Sequence, residues 1–179
     1  MELSSPTSGF DDPIAMLVDC HHRIAGFCDT LERLGEHLSS HGVDMEARVA
    51  SGRIITYFDQ AVPHHHADEE TDLLPVLRMR ANGFQESQHI IRWSERLMTD
   101  HRVQDALWQA LRRDLEKIQN GEFCPIEIAK EFIAHEREHI NFENHEVFPL
   151  ARILLISDDF VKIGRAMAAR RGMPFPGDM

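Results

Sequence analysis

A phrase written twice constrains this chain more than anything else in it. Residues 65–75 read HHADEETDLLP and residues 139–149 read HINFENHEVFP. Each has a histidine (His65, His139), a glutamate four residues on (Glu69, Glu143), and then an apolar residue followed by proline (Leu74-Pro75, Phe148-Pro149). A shorter echo lies upstream of each, HHRI at 21–24 and DHRV at 100–103. The chain therefore reads as a helix pair used twice: His22 with His65 and Glu69, then His101 with His139 and Glu143. One such copy arises easily by accident, whereas two in register do not.

Helix signals fill the space around these phrases. Asp11-Asp12-Pro13 offers a cap with proline in the first turn, where its missing N–H costs nothing. From Ile14 through Leu17, Ile24, Cys28, Leu31 and Leu34 to Leu38, apolar residues keep a helical period. His41-Gly42 ends that helix, and Asp44 caps a second that runs to about Arg80. Asn82-Gly83 marks a turn, a third helix spans about Ser87 to Gln119, and Asn120-Gly121 stops it. Cys124-Pro125 opens a fourth that reaches about Ile156, and Ser157-Asp158-Asp159 caps a shorter fifth ending near Gly172. No alternating strand pattern appears. The expected fold is all-α, an up-down-up-down antiparallel four-helix bundle with a short C-terminal fifth helix. Residues 1–12 read as a flexible lead, 13–156 as the bundle, and 157–179 as the short helix and a loose tail.

The repeat then acquires chemical meaning. Histidine and glutamate at i and i+4 share one helix face, so His65 with Glu69, and His139 with Glu143, can point at one centre. His22 and His101 can reach the same level from the other two helices. Four imidazoles and two carboxylates exceed what one tetrahedral zinc takes and suit two metals bridged by carboxylates, with iron or manganese favoured over metals that need thiolates. His66 with Glu70 has the same spacing and is the alternative register. Pro63 is expected to bend the second helix just before the ligands, and Gly26 to spare room near the site or to ease helix packing. Trp93 and Trp108 read as core around the site.

A competing motif overlaps the second copy. His135-Glu136-x-x-His139 followed by His145 has the spacing of a zinc peptidase, HExxHxxGxxH, except that Phe142 stands where glycine should turn the chain. Phenylalanine resists the positive φ that glycine allows there, so His145 stays on the helix, on a different face from His139. A peptidase reading is therefore disfavoured, leaving His135 as an ordinary helix residue or a supplementary ligand.

At this point the chain resembles the hemerythrin-like, HHE cation-binding domains over about residues 13 to 155. Their hallmark is a His-x-x-x-Glu on helices two and four plus a histidine on helices one and three. The match departs from the family at Asn144, which replaces the second glutamate of the motif. The resemblance implies a non-haem centre of two irons, with an oxo or hydroxo bridge as an option. It implies Glu69 and Glu143 as bridging carboxylates and His22, His65, His101 and His139 as terminal ligands. It also implies a small ligand, O2 or NO, or peroxide. The family's O2 carriers add a fifth histidine one turn from that of helix three, where this chain has Leu97 and Asp105. The expectation is a protein that binds O2 or NO or senses iron or redox state. The alternative is a di-iron oxidoreductase for peroxide reduction or iron–sulfur repair, and an acidic bundle acting through a partner is a third reading.

The formal net charge of −11 argues against nucleic acid and anionic membrane as partners. No segment reaches the ~18 apolar residues of a spanning helix. Three cysteines without a CxxC do not make a disulfide scaffold, so a reducing cytoplasm is expected. Self-association is left open.

Overall fold

The computed structural model describes residues 8–83, 87–176 and 178; residues 1–7 of the expected lead lie outside them. The described residues are helices and turns, with no strand among them. The helices are α1 (Pro13–His41), α2 (Met45–Ala67), α3 (Leu74–Arg80), α4 (Ser87–Gln119), α5 (Ile128–Phe142), α6 (Phe148–Leu154) and α7 (Ser157–Arg170). None is long and apolar enough to cross a membrane.

The capping chemistry works as the sequence suggests. Asp12 Oδ1 accepts the N–H of Ala15, and Asp44 Oδ1 that of Ala47, each at 2.9 Å. Gly42 and Gly121 end α1 and α4 at φ +73° and +92°, where a side chain would strain the backbone. One start differs from expectation: the fourth helix begins at Ile128 rather than at Pro125. Residues 122–126 have no helical structure; Cys124 and Ile126 are buried while Phe123 and Pro125 are exposed, an alternation that an extended strip satisfies and a helix does not.

Helix two continues through Pro63 as expected, and then does something the sequence period did not announce. Between α2 and α3 the backbone forms a π-helical segment, Asp68–Leu73, and between α5 and α6 a second, Glu143–Val147. Leu74 N–H bonds to the carbonyl of Glu69, and Phe148 N–H to that of Glu143, five residues back instead of four. Pro75 and Pro149 follow directly. A proline inside a helix has no N–H to give, and its ring presses on the carbonyl four residues earlier. A wider turn just ahead of it relieves that contact. Single π turns of this kind recur at functional sites.

The chain divides into two compact units. The first combines the residues up to His22, His64–Met98, and those from Ile140 onward. Its core joins Ile14 and Leu17 of α1, Leu73 and Leu77, Leu97 of α4, Phe148 of α6, and Ile163 and Met167 of α7. The second combines Arg23–Pro63 with Thr99–His139. There Ile24, Leu31 and Leu34 of α1, Ile54 of α2, and Leu111 and Leu115 of α4 are buried. Phe58 sits among aromatic rings, with centroids 4.8 Å from Trp108 and 5.1 Å from Phe132. Each such side chain contributes roughly 1.5–3 kcal/mol by leaving water. The indole N–H of Trp108 donates to Asp59 at 3.0 Å, so its polar end is satisfied as the ring is buried.

All three cysteines are free thiols. Burial, with the negative charge of Glu136 beside it, pushes the Cys28 thiol up to about 12, so it stays protonated at neutral pH. Gly26 is exposed, with nothing near the place a Cβ would occupy; it makes no room at an interior site.

Candidate metal centre

The first unit gathers four donors from three chain segments. His21 comes from α1, His65 from the end of α2, Glu69 from the first π segment, and Glu143 from the start of the second. One ligand atom from each lies within 4.8 Å of the other three, and all four residues are buried. His21 Nε2 stands 3.0 Å from Glu143 Oε2, 3.1 Å from His65 Nε2 and 4.0 Å from Glu69 Oε1. His65 Nε2 is 3.3 Å from Glu69 Oε1, one turn along the same helix.

His21, not the expected His22, stands in this group. His22 is exposed, because one residue along a helix turns the side chain by about 100°. The signal was in the apolar stripe. Ile14, Leu17 and Ile24 are buried, and His21 lies four residues from Leu17 and three from Ile24, whereas His22 is off that line. Matching HHRI with DHRV puts His22 in register with His101, one residue along from the buried His21. At helix two, His65 and Glu69 stand in the group, and His66 and Glu70 do not.

Two contacts orient His21. Its Nδ1 donates to Asn144 Oδ1 at 2.8 Å, which turns Nε2 toward the carboxylates. Phe148 stacks on the imidazole, with centroids 5.2 Å apart. Asn144, a departure from the repeat in sequence, thus acquires a structural role. Burial works against a charged His21, yet the hydrogen bond that it donates to Glu143 and the charges of Glu143 and Glu69 outweigh it and hold the imidazole above its ordinary pKa.

The second unit holds the other predicted histidines. His101 of α4 and His139 of α5 are buried, with Nε2 atoms 3.2 Å apart and ring centroids at 4.8 Å. Asp100 Oδ2 lies 3.7 Å from His139 Nδ1, within reach of a charge interaction though beyond a hydrogen bond. The supplementary candidate His135 is only partly buried and joins no donor group among the described residues. His145 is exposed, and its Nδ1 donates to the Asn141 carbonyl at 2.8 Å. The three-histidine constellation of a zinc peptidase is therefore not assembled.

The donor chemistry of the first unit fits a cation. Two carboxylates and two imidazoles share one buried space, and burying two anions side by side is costly unless a positive charge lies between them. Imidazole with carboxylate and no thiolate is the donor set of iron or manganese more than of a structural zinc.

Comparison with known proteins agrees with this geometry. The model of the hemerythrin HHE cation-binding domain matches residues 12–151. An uncharacterized protein of Haemophilus influenzae is 31% identical over 164 residues, spanning 90% of this chain and 91% of its own length. Buried donors on a repeated His…Glu scaffold, and a family match over most of the chain, lead to one conclusion: the protein belongs to the hemerythrin HHE cation-binding domain family.

Proposed function

We propose that this protein holds a non-haem di-iron centre and uses it to bind O2 or NO, or to report on iron or redox state. The observation that carries the reading is the buried group of His21, His65, Glu69 and Glu143. In this proposal His21, His65, Glu69 and Glu143 would hold the irons, and His101 and His139 would supply the remaining imidazoles. The in-register repeat supports that completion, as does His139 standing one turn before Glu143 along its own helix. The scaffold is proposed to be an up-down-up-down bundle over residues 13–156, with α7 appended. When bound, the irons would supply the electrons and the open coordination positions for a small ligand.

The protein's own groups do the rest. Asn144 orients His21, Phe148 excludes water from one imidazole face, and the Asp100 carboxylate places negative charge near His139. Cation uptake competes with the proton that the carboxylates favour on His21, so binding releases protons. Because that imidazole's pKa is raised, affinity begins to fall at a higher pH than an ordinary histidine, near ~6.5, would impose.

One observation favours a second reading, peroxide reduction. The places one turn either side of His101 hold Leu97, packed in a core, and Asp105, which is exposed. No fifth histidine stands there, which leaves more open metal positions than an O2 carrier has.

The deciding experiment measures metal identity and stoichiometry on protein made with iron and zinc both present. About two irons per chain is expected; one zinc and no iron would overturn the proposal. A reduced iron form with no spectral response to O2, NO or peroxide would retain the centre and reject the small-ligand function. Turnover of peroxide with a reductant, lost in Glu69→Ala, would favour the second reading.

A further inference from the structure

Helix α7 lies beyond the 12–151 stretch that defines family membership, yet it grips the segment carrying Glu69. Arg170 pairs with Asp68 through Nη1 and with Asp72 through Nη2, the latter at 2.6 Å. Arg171 Nη2 donates to Asp68 Oδ2 at 2.6 Å and Nη1 to Asp68 Oδ1 at 3.2 Å, while Nη1 also donates to the Met167 carbonyl at 3.0 Å. Asp68 is wholly buried and is the residue next to Glu69 at the entry to the π segment.

The other end of α7 is tied to the other end of the same stretch. Arg80 Nε and Nη2 donate to Asp159 at 2.7 and 3.0 Å. The span from Asp159 to Arg170 rises ~17 Å at ~1.5 Å per residue, and that from Asp68 to Arg80 ~18 Å, so the two lengths match. α7 therefore lies as a splint along the π segment and α3, running in the opposite direction. A π turn has poorer hydrogen bonds than an α turn and persists where its surroundings hold it. If this one relaxed, the residues of the turn would rotate about the helix axis, and Glu69 would leave the His21–His65 side.

We propose that Arg170 and Arg171 are positioning residues for Glu69, so that α7 sets the metal affinity of the centre. This rests on the metal-binding reading above. The site's two carboxylates are then unequal: Glu69 depends on a helix outside the repeat, and Glu143 does not.

The test is an anaerobic Fe(II) titration with chelator competition on the full chain, comparing wild type, Arg170→Ala/Arg171→Ala, Asp68→Asn and Arg170→Lys/Arg171→Lys. Leu34→Ala, a core truncation in the other unit, serves as a control of comparable or greater thermal destabilisation. The alanine pair and Asp68→Asn should each weaken at least one iron by tenfold or more. The lysine pair should recover part of that, since it keeps charge but loses the guanidinium fork. Leu34→Ala should bind as wild type does. If the alanine pair does not fold, Asp68→Asn, nearly the same shape without the charge, decides. Wild-type affinity in a folded Asp68→Asn, or equal weakening in Leu34→Ala, would overturn the positioning role while leaving the centre intact. A wild type that binds no iron would overturn the metal reading, and this inference with it.

Discussion

In the first π segment the residue ahead of Glu69 is Asp68, buried and gripped by two arginines of α7; in the second the residue after Glu143 is Asn144, which accepts from His21. The backbone is the same in both, a five-residue hydrogen bond closing just before a proline. The comparison teaches that the repeated glutamate-to-proline spacing specifies the turn, while unrepeated neighbours specify how firmly each carboxylate is held and what else it organises. The first copy is braced from outside. The second reaches across to orient a histidine of another helix.

Removing ligands should break the comparison most severely. His21→Ala should lower iron affinity by more than the roughly 10–100-fold typical of losing an outer partner, while His22→Ala should bind as wild type. Iron retained by His21→Ala and lost by His22→Ala would reverse the assignment. Asn144→Ala removes only the orienting bond to His21 and should cost about 10–100-fold in chelator competition; no change would show that Phe148 stacking alone fixes the ring.

A smaller effect separates the copies one turn beyond their first histidines. That position is Ile24 after His21 and Gln104 after His101, and both are buried. The Gln104 amide has no hydrogen-bond partner among the described residues, on either its oxygen or its nitrogen. Making the second copy resemble the first, Gln104→Leu, should leave stability unchanged or raise it by about 1 kcal/mol in urea unfolding. A loss of that size would mean that the amide is satisfied in solution.

The smallest effect concerns the far anchor of α7. The hydrogen bond from Arg80 holds the Asp159 carboxyl below its ordinary value. A depressed folded pKa contributes stability that is fully present above the unfolded value, near ~4, and is lost as the pH falls through the folded one. Arg80→Ala should therefore flatten the fall in stability below about pH 4. An unchanged acid slope would place the sensitivity elsewhere.

Much of this was legible from residue order. The caps at Asp12 and Asp44 and the stops at Gly42 and Gly121 follow from local backbone chemistry, which distant contacts rarely override. His65 and Glu69 could be paired because a helix brings i and i+4 together whatever surrounds it. Pro125 does not fix the start of α5, because a proline is compatible with a first helical turn and with an extended strip alike. Burial of Cys124 and Ile126 chose the strip. Pro75 and Pro149 belong to the repeat, but their effect on the turn ahead of them depends on the packing that holds a π bond in place.

The sequence by itself determined an all-helical chain, a duplicated set of histidines and glutamates, and family membership, because these depend on local periodicity and spacing. Tertiary structure decided between His21 and His22, gave Asn144 its partner, and brought the arginines of α7 to Asp68. Those outcomes depend on which helix face meets another segment. A rotation of one residue, about 100°, separates the buried His21 from the exposed His22, and only the packed interior distinguishes them.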